Sequence, residues 1–420
     1  KGKTVYFAKF LIMNKSVINS NIKKDFPIFN KKILNKDLIY FDTAASAQKP
    51  KTVIDEIDDF YNNHYSNVSR GVHTLSVEST FKYEDSRKKV KNFINAKSEN
   101  EIIFTKSATE SINLIAQTFC EKYMEKGDEV ILSIMEHHSN LVPWYFLREK
   151  YGIVIKFAMI DDEGKIDLDH FSSLINGKTK IASITRLSNV FGTTVNNEIV
   201  NICREKGIFI MFDGCQAAAH NKIDVQEIDC DFYVFSGHKT YGPTGIGVLY
   251  GKENILKDLP PYQGGGGMIN EVTLDSVSFA DLPAKYEAGT PPLVEAYGLG
   301  IAIDYMNSIG IENIMKHEQE LSNYALEKMM GLEFLEIYGK GKEKSSIISF
   351  NLNQIHAHEV ASFLDVEGIA LRAGHHCCQP LMKHLNVNAT SRISFGVYNN
   401  INEVDIFIEA LNKCRDFFKK

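Results

Sequence analysis

Short apolar runs alternate with amphipathic stretches along most of the chain. Leu38-Ile39-Tyr40-Phe41-Asp42 reads as a short strand. From about residue 80 to 290 the two patterns interleave. The spacing predicts helices over 80–93, 111–123 and 198–206, and strands over 101–104, 129–133, 181–185, 208–212 and 232–235. Short apolar strands separated by helices indicate a mostly parallel sheet covered on both faces. From about 293 the character changes. Long helical patterns over 294–309 and 311–330 precede a strand over 346–352 and a helix over 358–366. Strands over 369–372 and 391–395 and a helix over 403–418 follow, which predicts a smaller α+β unit. The chain divides into a basic leader (1–24), an N-terminal segment packing with the small unit (25–40), a large domain (41–292) and a small domain (293–420). The four glycines Gly264 to Gly267 read as a loop within the large domain. There are no internal repeats.

Composition narrows the classes. The 420 residues are 44% hydrophobic and 24% charged, an ordinary globular balance with length for two or three domains. A net charge of −6 without a basic domain argues against nucleic acid. No apolar run approaches a membrane span. The seven cysteines form no CxxC pair, and their scatter through apolar segments fits a reducing compartment better than a disulfide framework. Residues 1–24 carry six lysines and no acid. This segment reads as an added tag, with Met13 the native start, or as the remnant of a transit peptide. The setting it favours is a plastid-type, apicoplast-like organelle, with bacterial cytoplasm as the alternative.

The chemistry concentrates after the strands, where ligands sit in open parallel sheets. Ser236-Gly237-His238-Lys239 ends an apolar run and precedes a Gly-rich turn. Burying an ammonium costs several kcal/mol unless it is paired or neutralised. Condensation with the aldehyde of pyridoxal phosphate removes that charge, and Ser236 and His238 stand where a phosphate could be held. The alternative is a surface lysine after a strand. Asp213 ends the strand over 208–212. A carboxylate there would keep a pyridine nitrogen protonated, and Gln216 would reach the ring oxygen; the alternative is a turn aspartate. Thr105-Lys106-Ser107-Ala108-Thr109-Glu110 joins a strand to a helix, so backbone N–H groups and the Thr109 hydroxyl make an anion site, or simply a helix cap. His137 and His138 are adjacent, which disfavours chelation of one metal, and no metal site is expected. One of them suits stacking on a pyridine ring. Arg372 is suited to gripping a carboxylate bidentately, and Arg392 is a second candidate that as a lone arginine would more often be a surface residue. After Arg372 come Gly374, His375, His376, Cys377 and Cys378. An arginine and two histidines nearby favour a thiolate, and either thiol is a candidate nucleophile.

Together these residues resemble the class V aminotransferase-type fold. More narrowly they resemble the group II cysteine desulfurases of the SUF iron–sulfur pathway (SufS-type). The likeness runs from about Phe26 to the C-terminus. It is carried by Tyr40-Phe41-Asp42-Thr43-Ala44-Ala45-Ser46-Ala47-Gln48-Lys49-Pro50, Arg70-Gly71-Val72-His73-Thr74-Leu75-Ser76 and Glu136-His137-His138-Ser139-Asn140. Ser236-Gly237-His238-Lys239, Glu287-Ala288-Gly289-Thr290-Pro291 and Arg372-Ala373-Gly374-His375-His376-Cys377 complete it. The resemblance implies a pyridoxal phosphate-dependent transferase of fold type I, with a mainly parallel seven-stranded sheet and a small α+β domain. It implies desulfuration of L-cysteine to L-alanine, with the sulfur held as a persulfide on Cys377 for iron–sulfur assembly. Lys239 would carry the cofactor and serve as base. Asp213 would pair with the pyridine nitrogen, Gln216 with the ring oxygen, and His137 would stack. Ala108, Thr109, Ser236 and His238 would surround the phosphate, with Thr290 donated by the partner subunit of a homodimer. Asn189, Arg372 and Arg392 would hold the substrate carboxylate. A SufE- or SufU-like sulfur acceptor is the implied partner. Departures from the pattern are Ser69, Ala108, Arg186, Pro292 and Cys378. The rival readings are a selenocysteine lyase, an aminotransferase that needs no Cys377, and an inactive scaffold.

Overall fold

A computed structural model describes Ile18 and residues 21–68, 71–339, 341 and 344–419. Most of the basic leader, and Ser69 and Arg70, lie outside the described residues. Seven strands form the large sheet: β1 (Ile102–Thr105), β2 (Glu129–Ser133), β3 (Val154–Ala158), β4 (Thr179–Thr185), β5 (Phe209–Asp213), β6 (Phe232–Ser236) and β7 (Gly247–Gly251). Their order is β1-β7-β6-β5-β4-β2-β3. Only β7 runs antiparallel to its neighbours. Successive side chains enter different cores, as the period of two demands. Ile210 and Phe212 join the core on one face, and Met211 joins the core on the other. Both faces being covered, the strands read as continuous apolar runs.

Two strands of this sheet, β3 and β7, are not expected from the sequence pattern. The first is a sheet edge whose Val154 is exposed, so its burial pattern is weak. The second is framed by Gly247 and Gly251 and looks like turn. Gly247 is needed for packing: a Cβ there would fall 2.3 Å from the Ser107 carbonyl carbon. This brings the start of the next helix against the sheet.

The covering helices include α1 (Thr74–Phe93), α2 (Ala108–Tyr123) and α3 (Leu293–Ile309). The helix α2 buries Ile112, Ile115 and Phe119 in one core. The helix α3 buries Leu293, Ala296, Leu299 and Ile303 in the other, which is a core of the large sheet. A Cβ on its Gly298 would lie 2.8 Å from Ile57, so the absent side chain sets that close approach.

The next helix, α4 (Ile311–Met330), and the last, α5 (Ile401–Phe418), cover a second sheet. It comprises β8 (Leu335–Tyr338), β9 (Ile347–Leu352), β10 (Arg372–Gly374) and β11 (Thr390–Ser394), in the antiparallel order β8-β9-β11-β10. The strand expected over 369–372 is two pieces. Ile369–Ala370 pairs in parallel with Ile39–Tyr40, and Arg372–Gly374 pairs with β11. Among the described residues no helix is long and apolar enough to cross a membrane.

Candidate active site

The carboxyl ends of β4, β5 and β6 open into a cavity of about 240 Å3. Its floor comes from the large sheet. Asp213 is the last residue of β5 and faces Thr185, the last of β4, in register. Its Oδ1 accepts from the Cys215 N–H at 3.0 Å, and it is 5% exposed. Lys239 follows β6 in a single 3-10 turn and lines the same cavity. The Gln216 Nε2 donates to the Ala44 carbonyl at 2.8 Å, while Gln216 Oε1 is buried without a partner.

One end of the cavity is built for an anion. The Ala108 N–H, at the start of α2, donates to Ser236 Oγ at 2.9 Å. The Thr109 and Ser139 hydroxyls lie 2.8 Å apart. His238 Nδ1 is 3.2 Å from Ser46 Oγ, and burial beside Lys239 and Lys49 lowers its pKa to about 4. Hydroxyls around the N-terminus of a 16-residue helix form a phosphate cradle. An amine, a buried carboxylate and this cradle fit pyridoxal phosphate.

His137 lies over the opening beyond β2. The Ser139 N–H donates to His137 Nδ1 at 3.1 Å, fixing the ring. Burial, then Lys239 and the other nearby cations, lowers its pKa to about 3, so the ring is neutral. Beneath it sits Glu136, whose buried side chain the sequence reading had only as part of a motif. The Glu136 carboxyl accepts from Ser133 Oγ (2.5 Å), the Thr185 N–H (2.9 Å) and Asn140 Nδ2 (2.6 Å). Burial raises its pKa to about 7 despite those donors. A carboxyl directly before His137 was the available signal.

The opposite wall is the loop after β10. His376 and Cys377 have φ of 50° and 55°, the left-handed region that non-glycine residues adopt at a cost of about 1–3 kcal/mol each. Three contacts over-determine it. Asn189 Nδ2 donates to the His376 carbonyl at 2.8 Å. The His138 N–H donates to the Cys377 carbonyl at 2.7 Å. The Cys377 N–H donates to His375 Nδ1 at 3.0 Å.

The two adjacent thiols part company here. Cys377 is partly exposed and lines the cavity. Cys378 is fully buried in the large core, and burial pushes its pKa up. The expectation that both histidines of this loop bring positive charge to the thiol fails for His376. That ring is buried, bonds Thr390 Oγ1 at 2.8 Å, and has a pKa held well below the usual range by burial. Arg372 and Arg392 line the same cavity as Cys377. Arg392 is also not a surface residue. It is 3% exposed, and its Nη1 donates to the Asn189 carbonyl at 2.8 Å. Its Nη2 reaches Asp42 at 3.3 Å, and its Nε is buried without a partner. Arg372 lies directly across from it in the β10–β11 register and lines the cavity.

Ala108, Thr109, His137, Asn189, Asp213, Gln216, Ser236, His238, Lys239, Arg372, Cys377 and Arg392 thus share one cavity. Thr290 does not. It is exposed and lines a separate cleft with Lys106 and Glu110. Arg186 points elsewhere too, donating to the Val195 carbonyl at 2.6 Å with its guanidinium over the Phe212 ring.

Residues 39–407 match the model of the aminotransferase class-V family. The chain belongs to this family. Similar class-V relatives include the probable cysteine desulfurase of Staphylococcus epidermidis RP62A, 47% identical over 397 residues, 94% of this chain and 96% of the relative. That of Staphylococcus aureus Mu50 is 46% identical over 401 residues, 95% and 97% of the two chains. Among solved structures, the apo cysteine desulfurase of Thermococcus onnurineus NA1 superposes with a TM-score of 0.90 at 38% identity, covering 94% of this chain and 98% of that one. The Escherichia coli cysteine desulfurase CsdA, in its S-sulfonic acid form, gives 0.88 at 34% identity, covering 95% and 99%.

Proposed function

We propose that this class-V protein is a pyridoxal phosphate-dependent cysteine desulfurase that converts L-cysteine to L-alanine. One observation carries the reading: a partly exposed thiol, Cys377, lines the same cavity as the strand-end amine of Lys239. Relatives named as cysteine desulfurases at 46–47% identity support it. Bound at Lys239, pyridoxal phosphate supplies an electron-accepting ring that acidifies the substrate Cα–H. Asp213 holds the proton of the ring nitrogen. Arg372, with Arg392 and Asn189 behind it, grips the substrate carboxylate. The Lys239 amine moves the Cα proton. The Cys377 thiolate attacks the substrate sulfur; the new S–S bond forms as the Cβ–S bond breaks, and alanine leaves. His137, neutral and fixed by Ser139, covers the ring face.

Three finer statements belong to the same proposal. The persulfide passes to a small acceptor protein of the SufE or SufU kind and serves iron–sulfur assembly of the SUF type. The working form is a homodimer in which Thr290 completes the partner's phosphate site; the exposure of Thr290 outside its own cavity supports this. The relatives named above from Staphylococcus are bacterial, which favours the bacterial setting over the organellar one.

The test is Cys377→Ala with L-cysteine. Alanine release falls to background, and the Cys377 peptide no longer gains a sulfur atom in mass spectra. Alanine production at the wild-type rate would sink the assignment.

A further inference from the structure

A second cavity, of about 450 Å3, lies between the large unit and α4. Its wall carries three ammonium groups, Lys165, Lys316 and Lys344; Lys165 is paired with Glu163 at 2.9 Å, and the wall's own carboxylate is Glu312. Lys344 is 2% exposed, and its Nζ donates to the Tyr338 carbonyl at 2.5 Å. No carboxylate among the described residues lies within ion-pair distance of it. A buried ammonium without an anion is costly, and burial lowers its pKa to about 8.

His220 stands on the same wall and is 2% exposed. Its Nδ1 is 2.7 Å from Glu318 Oε2, and Glu318 is not on the wall. The ring's other nitrogen, Nε2, is buried and has no partner. Two buried polar groups, one cationic and one unsatisfied, therefore border a cavity with an excess of positive charge. The hydroxyls of Thr194 and Ser345 complete the donors, while that of Thr193 is spent on the Gly164 carbonyl at 2.7 Å. An oxyanion at Nε2 selects the states in which that nitrogen carries hydrogen.

We infer that this cavity is a second ligand site, for a small oxyanion of phosphate or carboxylate type, and that its occupant stiffens the Cys377 loop. The connection is short. Thr193 and Thr194 end the turn that carries Asn189, closed by the Ser188 N–H donating to the Thr193 carbonyl at 2.9 Å. The Ser345 N–H donates to the Gly192 carbonyl of that turn at 2.8 Å. Asn189 holds the His376 carbonyl. An anion clamped between Thr194 and Lys344 ties this turn to the small unit. His220 is only four residues beyond Gln216, so the floor borders the same cavity.

The test titrates the cofactor-loaded protein by calorimetry with inorganic phosphate and, separately, with citrate. Saturable binding of either at one site per chain is expected, and the probe that binds fixes the anion type. Affinity falls about tenfold or more in Lys316→Glu and in Lys344→Gln, and is kept in Arg372→Gln. Lys316 is exposed, so its variant folds even where Lys344→Gln does not. Saturation with the bound probe slows iodoacetamide alkylation of Cys377, mapped by mass spectrometry. Binding of neither probe, wild-type affinity in Lys316→Glu, or loss of binding in Arg372→Gln overturns the site. Alkylation unchanged at saturation overturns the link to the loop.

Discussion

The floor and the rim of the cavity are held in place by different means. The floor residue Asp213 ends a strand with main-chain ladders on both sides, and Lys239 follows the end of the neighbouring strand in a single 3-10 turn. The rim, residues 375–378, has no ladder. It keeps two residues in the left-handed region because contacts from His138 and Asn189, in a different unit, and from its own His375 hold it there. A ladder tolerates the loss of one side chain; a loop over-determined by three contacts loses its geometry one contact at a time. The floor is therefore robust in shape and the rim is not, although both carry chemistry that one substitution removes.

Lys239→Ala is the sharpest break on the floor side. The strand-end ladder does not depend on its side chain, so the fold persists. Alanine release from L-cysteine falls about a thousandfold or more, with loss of the visible absorbance of bound cofactor. More than a tenth of wild-type turnover would show that another group does its work.

Next in size is Glu136, which braces both regions from below. Its pKa is about 7 in the fold against an ordinary 4.5, because of burial. The fold thus binds a proton that the unfolded chain has released between those values. The stability this proton brings is fully present below about pH 4.5 and is lost as pH rises to about 7. It amounts to a few kcal/mol. Urea midpoints at pH 5 and pH 8 should differ in the wild type and converge in Glu136→Gln. An undiminished difference in the variant would place the titration on another group.

How much was legible follows the same division. The floor could be read locally: an apolar run ending in Asp213, another ending before Lys239, and Ser107-Ala108-Thr109 opening a helix. Period and caps carry that information within a dozen residues. The rim residues were also readable as types, since Arg372, Gly374 and Cys377 follow one another. Their arrangement was not. Nothing near Cys377 says that its neighbour Cys378 turns into the core, or that His376 is buried and neutral. Cys378 meets Ile134, far back in the chain, and His376 bonds Thr390 across the turn into the neighbouring strand β11. Arg392 shows the same failure, since a lone arginine in a strand pattern does not reveal that Asn189 and Asp42 will meet it inside. Glu136 was hidden because its three donors come from two strands and a turn. The missed strand β7 was hidden by glycines whose purpose is to let Ser107 approach.

Asn189→Ala tests the rim with a moderate effect. It removes the contact to the His376 carbonyl and leaves the floor intact. Losing that hydrogen bond costs about 1 kcal/mol of stability. Looser placement of the thiol lowers kcat about tenfold. A rise in KM with kcat unchanged would mean instead that Asn189 acts by gripping the substrate.

The smallest effect is expected one residue beyond the nucleophile. Cys378 sits in the large core with its Sγ 3.9 Å from the Ile134 carbonyl, too far and too poorly charged to anchor anything. Cys378→Ala removes one buried sulfur and leaves a small gap, costing about 1 kcal/mol in a urea titration. Alanine release should stay within about twofold of wild type, because the contacts that set the rim run through His375, His376 and Cys377 and none uses the Cys378 side chain. A large fall in turnover here, with Cys377→Ala left active, would exchange the roles of the two thiols. A large fall in both would mean that the rim takes part of its shape from the core beneath it, and the division between a braced loop and a laddered floor would then be too sharp.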